Sequence, residues 1–98
     1  MKNITAGFNK VFESKIRLGI MSALYVNESL DFTRLKELLD VTDGNLASHI
    51  HALEEAGYVS VRKQFIGRKP NTTYTITPNG RKDFQEHILV LEKIIKNL

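Results

Sequence analysis

Four polar side chains, Asn45, Ser48, His49 and His51, fall within one short stretch, and each can donate or accept a hydrogen bond. Their neighbours Gly44, Ala47 and Ala52 are small. A surface of this kind can approach a structured partner closely and read its polar edges. Further along come Arg62, Lys63, Arg68 and Lys69, and from Tyr58 to Thr77 there is no Asp or Glu. Such a run repels itself unless an anion lies near, and it suits a chain of phosphates. Solvated cations that keep edge strands from pairing are the plainer explanation of the same charges.

Catalytic chemistry is poorly served. His49, His51 and His87 are the only histidines, and a His-x-His pair on a helix points its rings about 200° apart, which is poor chelation geometry. No phosphate-binding loop, nucleophile elbow or paired-carboxylate arrangement stands out. The absence of cysteine removes disulfides, thiolate zinc sites and cysteine nucleophiles together. Neither an enzyme nor a cofactor is expected; a small-molecule effector is left open, with the crevice between two copies or the terminal helices as the places for it.

The elements that would hold these residues can be read from caps and periodicity. Thr42 is suited to cap a helix running to about Ala56, with Asp43 complementing its dipole. Leu46, Ile50 and Leu53 then point inward, leaving Gly44, Ser48, His51, Ala52 and Glu55 outside, with Asn45, Ala47 and His49 on the flanks. Gly57 stands where a left-handed C′ residue belongs. Tyr58 to Ile66 and Thr72 to Thr77 alternate as two strands, with Val59, Val61, Tyr74 and Ile76 inward, and Gly67 to Asn71 reads as the turn between them.

Upstream, Phe8, Val11 and Phe12 are spaced for one face of a helical turn or two. Ser14 can cap Lys15 to Val26, where Ile16, Ile20, Met21 and Leu24 form a core stripe. Gly19 inside it weakens the helix by about 1 kcal/mol relative to Ala, and close approach of another helix is the expected compensation. Arg17 either pairs with a carboxylate or reaches a phosphate. Leu30-Asp31 is too short for an independent strand and could add a rung to a sheet made elsewhere. Asp31 can cap a helix from Phe32 to Leu39 that buries Phe32, Leu35, Leu38 and Leu39. Two short helices separated by three or four residues are the helix-turn-helix arrangement.

Downstream, Thr77 and Pro78 start a last helix in which Phe84, Ile88, Leu91, Ile95 and Leu98 recur as a heptad seam. Leu89, Val90 and Ile94 widen its apolar surface beyond what one small domain covers, so a second copy of the chain is expected against it. The predicted fold is α+β and mainly helical, a single domain over 1–98 with a two- to three-stranded antiparallel wing and 78–98 as a dimerisation helix. Ninety-eight residues bury only roughly 60 to 65% of the unfolded chain's surface, so binding surfaces should lie outside or between copies. The net charge of +3 is a mild basic excess; its distribution is the stronger signal. No run of about eighteen apolar residues and no signal-peptide pattern occurs, so no membrane partner and a cytoplasmic location are expected.

A slender polar helix followed at once by a cationic hairpin fits a DNA duplex, helix in the major groove and hairpin beside it. The ordered set Leu35 to Leu39, Thr42-Asp-Gly-Asn-Leu46, Ser48-His49-Ile50, Leu53-Glu-Glu-Ala-Gly-Tyr-Val59, Gly67-Arg-Lys-Pro70, Thr73-Tyr74 and Thr77-Pro-Asn-Gly80 resembles the short winged helix-turn-helix transcriptional regulators related to the MarR and ArsR groups. Ile16 to Met21 resembles their first helix. The resemblance implies a homodimer joined by terminal helices, a recognition helix over 42–56 and a basic wing over 62–71 on the backbone or minor groove of double-stranded DNA. The expected contact set is Thr42, Gly44, Asn45, Ser48, His49 and His51 on the helix, with Arg62, Lys63, Arg68, Lys69 and Asn71 on the wing. This sequence departs from many relatives in having no Arg or Lys on the outer face of that helix. A winged helix used for protein contacts without DNA is the alternative, and it would predict an apolar or acidic recognition face and no cationic wing.

Overall fold

The computed structural model describes residues 3–97. Every α-helix in it starts where a short polar side chain precedes an apolar repeat. Ser14 accepts from the N–H of Arg17 to open α1 (Lys15–Val26), Asp31 from that of Arg34 to open α2 (Phe32–Leu39), and Thr42 from that of Asn45 to open α3 (Asp43–Glu55). The last helix, α4 (Pro78–Asn97), follows Thr77, whose Oγ1 accepts from Gly80 N–H at 2.9 Å and donates to the Gly57 carbonyl at 2.7 Å. A Cβ at Gly80 would collide with the Tyr58 carbonyl. Thr-Pro-Asn-Gly is thus a joint that clamps the start of the last helix onto the end of the third.

Three antiparallel strands, β1 (Leu30–Asp31), β2 (Val59–Ile66) and β3 (Lys69–Ile76), form one sheet in the order β1-β3-β2. The rung from Leu30-Asp31 falls opposite Tyr74 and Thr73. The hairpin differs from the sequence expectation. Its loop is Gly67-Arg68 alone, because Lys69, Pro70 and Asn71 pair with Ile66, Phe65 and Gln64. Gly67, at φ +65, leads the turn, the pattern of a type II′ loop, whose twist matches its strands. Pro70 fits because β3 at that level is flanked by β2 only.

Ile20, Met21 and Leu24 of α1, Leu35 of α2, Leu46, Ile50 and Leu53 of α3, and Val59 and Tyr74 of the sheet make the core with Phe12, Tyr58 and Phe84. Leu39 fills the space Gly19 leaves open, since a Cβ there would stand 2.6 Å from its Cδ2. Leu38, expected in the buried face of α2, is 46% exposed. It lies about 90° from the centre of the stripe made by Phe32, Leu35 and Leu39, too far round for a short helix to cover.

The N-terminal segment is a 3-10 turn at Lys10–Phe12 preceded by chain that runs along α4. Gly7 packs on Val90, Ile4 shares a recess with Ile94, and Phe8 tilts against His87 with ring centroids 5.0 Å apart. That segment claims one flank of the last helix. The radius of gyration, 15.0 Å, exceeds the ~13 Å of a compact domain this long, with the long dimension reaching 58 Å.

Candidate nucleic-acid interface

The face of α3 opposite its buried Leu46, Ile50 and Leu53 carries Gly44, Ser48 and His51, with Asn45 and Ala47 on its flanks, all exposed. Thr42 at its head spends its oxygen on the cap, accepting from Asn45 N–H at 3.2 Å. The hydroxyl proton remains free to donate. His49 is placed otherwise than expected: it is half-buried, and its Nδ1 lies 3.0 Å from Arg17 Nη1. A guanidinium only donates, so Nδ1 accepts and the ring proton resides on Nε2. Arg17 also donates through Nε to the Val11 carbonyl. It therefore finds neither a carboxylate nor a free path outward; it fastens α3 to the segment before α1.

Charge is distributed along α3 in a definite way. Asp43 in the first turn is neutralised by Lys36 of α2 at 2.7 Å, leaving that end of the helix open to an anion. Glu54 and Glu55 are exposed at the other end, and Glu55 Oε1 stands 3.6 Å from His51 Nε2. Two carboxylates repel a phosphate backbone. The outer face from Gly44 to His51, ahead of those carboxylates, is thus the part electrostatics permits to enter a groove, as the N-terminal parts of recognition helices commonly do.

Strand alternation divides the wing. Val59, Val61, Lys63 and Phe65 share one face with Ile76, Tyr74, Thr72 and Pro70; Arg62, Gln64 and Ile66 share the other with Thr73, Asn71 and Lys69. Lys63 and Arg62 consequently diverge, Arg68 sits in the loop, and Asn71 is half-buried in the strand. All four wing cations are exposed, and among the described residues none lies within ion-pair distance of a carboxylate. Ala47, Ile50, His51 and Glu54 of α3 line one cleft of about 260 Å³ with Val61, Lys63, Thr72 and Tyr74 of the sheet. Helix and wing root therefore share a side of the molecule.

Three features escaped the sequence reading. Lys36 and Asp43 bridge the two helices across a turn, a pairing that no single-helix spacing rule can show. Phe65 and Ile66 are 74% and 63% exposed near the wing tip. Phe65 has the inward parity of Val59 and Val61, so alternation alone would bury it; the core ends before the strand does. A polar network was the third. Asn9 Nδ2 donates to the Tyr58 hydroxyl at 2.8 Å, which donates to Asp83 Oδ2 at 2.7 Å, while Asn9 N–H donates to His87 Nδ1 at 3.2 Å. Burial, then the bond to Asp83, raises the Tyr58 phenol above its usual range, and burial holds the His87 imidazolium form below 6.5. Burial, with Glu54 as a second cause, likewise raises Tyr74.

In α4, Phe84 belongs to the core at 5% exposure, edge-on to Phe12, because the first two turns are pressed onto α1 and the 3-10 turn. It is not free for a partner. Ile88, Leu89, Leu91 and Ile95 are the exposed apolar residues of that helix, and Leu98 lies outside the described residues. No helix among the described residues is long and apolar enough to cross a membrane.

The sequence model of the family described as winged helix DNA-binding domain matches residues 16–95. An uncharacterized protein of Methanocaldococcus jannaschii is 39% identical over 89 residues, which are 91% of this chain and 97% of that protein. Among solved structures, a transcriptional regulator homologue from Pyrococcus horikoshii OT3 superposes with a TM-score of 0.85 at 32% identity, covering 96% of this chain and 91% of that one. A protein assigned to the MarR family in Enterococcus faecalis V583 gives 0.78 at 22% identity over 89% of this chain and 78% of its own, a likeness of fold alone. The chain belongs to the winged helix DNA-binding domain family, with the winged helix-turn-helix fold of the MarR- and ArsR-related transcriptional regulators.

Proposed function

We propose that this protein is a cytoplasmic, sequence-specific DNA-binding transcriptional regulator acting as a homodimer, with 1–98 as one domain and 78–98 as its dimerisation helix. One observation carries the reading: Ala47, Ile50, His51 and Glu54 of α3 line one cleft with Val61, Lys63, Thr72 and Tyr74 at the wing root, and among the described residues none of the four exposed wing cations has a carboxylate within ion-pair distance. Gly44, Asn45, Ser48 and His51 face base edges in the major groove; Arg62, Lys63, Arg68 and Lys69 neutralise phosphates. Thr42 contributes its remaining hydroxyl proton, His49 acts from behind through Arg17, and Asn71 supports the hairpin.

Gly44 adds support. A Cβ at that position would meet nothing within 4 Å, so no internal packing explains a glycine in the first turn. Close approach of an external backbone does. The dimer surface is Ile88, Leu91 and Ile95, extended by Leu89 and by the apolar recess of about 320 Å³ that Ile88 and Leu89 line with Tyr25 and Phe84. A two-fold pair would present recognition helices to half-sites about 34 Å apart.

Random-sequence DNA selection at stated salt tests the reading: a recurrent two-fold motif is expected, and enrichment of no motif would reject it. Leu91→Asp should shift sedimentation from dimer to monomer; a wild-type monomer would reject the dimer.

A further inference from the structure

The tip of the wing is amphipathic in an unusual sense. Phe65 and Ile66 are the largely exposed apolar side chains there, and they point to opposite faces of the ribbon, opposite Pro70 and Lys69 respectively. Neither touches the core, so packing within the chain does not account for them. The charges around them commit the tip to a polyanion: Arg62, Lys63, Arg68 and Lys69 surround it, and the whole hairpin is free of Asp and Glu.

We infer that the wing tip enters the minor groove beside the recognition site and wedges it open, Phe65 against the sugar wall of one strand and Ile66 against that of the other. This rests on the DNA-binding reading above. The dimensions give it content. A ribbon carrying side chains on both faces is about 10 Å thick, judged from the spacing of packed sheets, whereas the minor groove of B-form DNA is about 6 Å wide. Entry demands widening, and apolar wedges are a known means of obtaining it. A-tracts resist, because they are stiff and already narrow; TA and CA/TG steps yield. The wing therefore selects flanking DNA by its deformability without hydrogen bonding to any base there, in a chain whose recognition helix lacks Arg and Lys on its outer face.

The test compares the wild-type chain with Phe65→Thr/Ile66→Thr, a pair of β-compatible changes at exposed positions, on duplexes that carry the selected motif with either A-tract or TA- and CA-containing flanks. Fluorescence anisotropy across a salt series gives affinity and slope. Wild type should prefer the flexible flanks by about tenfold, on the scale of one apolar side chain desolvated. The double variant should bind both duplexes equally, with the wild-type salt slope, and Phe65→Leu should retain the preference. A double variant that keeps the flank preference overturns the wedge while leaving the regulator reading standing. A wild-type chain that binds neither duplex above random DNA overturns both. Loss of binding to anionic phosphatidylserine vesicles, with DNA binding untouched, would assign the tip to a membrane surface and overturn the proposal as well.

Discussion

Helix α3 and the wing stand side by side and are built on opposite principles. The helix is anchored by Leu46, Ile50 and Leu53 in the core, capped by Thr42, tied through His49 to Arg17 and through Asp43 to Lys36. The wing projects beyond the core, its cations without carboxylate partners among the described residues, its tip residues Phe65 and Ile66 in solvent. Reading base edges requires atoms placed to within tenths of an ångström, and only a packed element holds them so. Attracting phosphates requires charge, and charge acts at a distance without exact placement. The same division explains why the helix contains its own neutralised acid while the hairpin contains none.

The largest effect should separate the two by stability. Leu53→Ala removes a fully buried side chain under α3 and should lower unfolding free energy by roughly 2–5 kcal/mol in urea denaturation, while Arg68→Ala/Lys69→Ala should stay within about 0.5 kcal/mol of wild type. In DNA titrations the order reverses: the cation pair should reduce the salt slope by about one per cation and weaken binding to all sequences. An unchanged slope would remove the wing from the interface. Gly44→Ala sharpens the contrast within the helix itself. Replacing a first-turn glycine that touches nothing should stabilise the fold by up to about 1 kcal/mol, yet DNA affinity should fall, because the added methyl stands where the groove must approach. Equal or better affinity would place the groove elsewhere.

The smallest effect concerns the support both regions share. His87 is held neutral below its ordinary value of 6.5 by burial against Phe8 and Phe12, with Nδ1 accepting from Asn9. Above pH 6.5 the ring is neutral folded or unfolded, and its full contribution is present. As pH falls from there the unfolded chain takes a proton that the folded chain refuses, so stability is lost until the folded value is passed. Denaturation midpoints measured between pH 8 and pH 5 should fall more for wild type than for His87→Gln. Parallel curves would show that the ring titrates freely.

Local chemistry was legible. Ser14, Asp31, Thr42 and Thr77 cap as their types require, Gly57 is left-handed at φ +79, and the two-residue rung at Leu30 finds its sheet. These depend on neighbours a few residues away, whose geometry the chain itself dictates. The outer face of α3 was legible for the same reason, since a 100° step and three buried apolar side chains determine it.

What needed the tertiary structure was every question of how far the core extends and who occupies a given surface first. Phe84 went to the core, Val90 was taken by Gly7, and His49 was claimed by Arg17, each through a contact between distant parts of the chain. Phe65 keeps inward parity but outruns the core, and the five-residue turn shrank to Gly67-Arg68 because strand pairing continued past it. Periodicity states which way a side chain points; only the packed fold states whether anything is there to meet it.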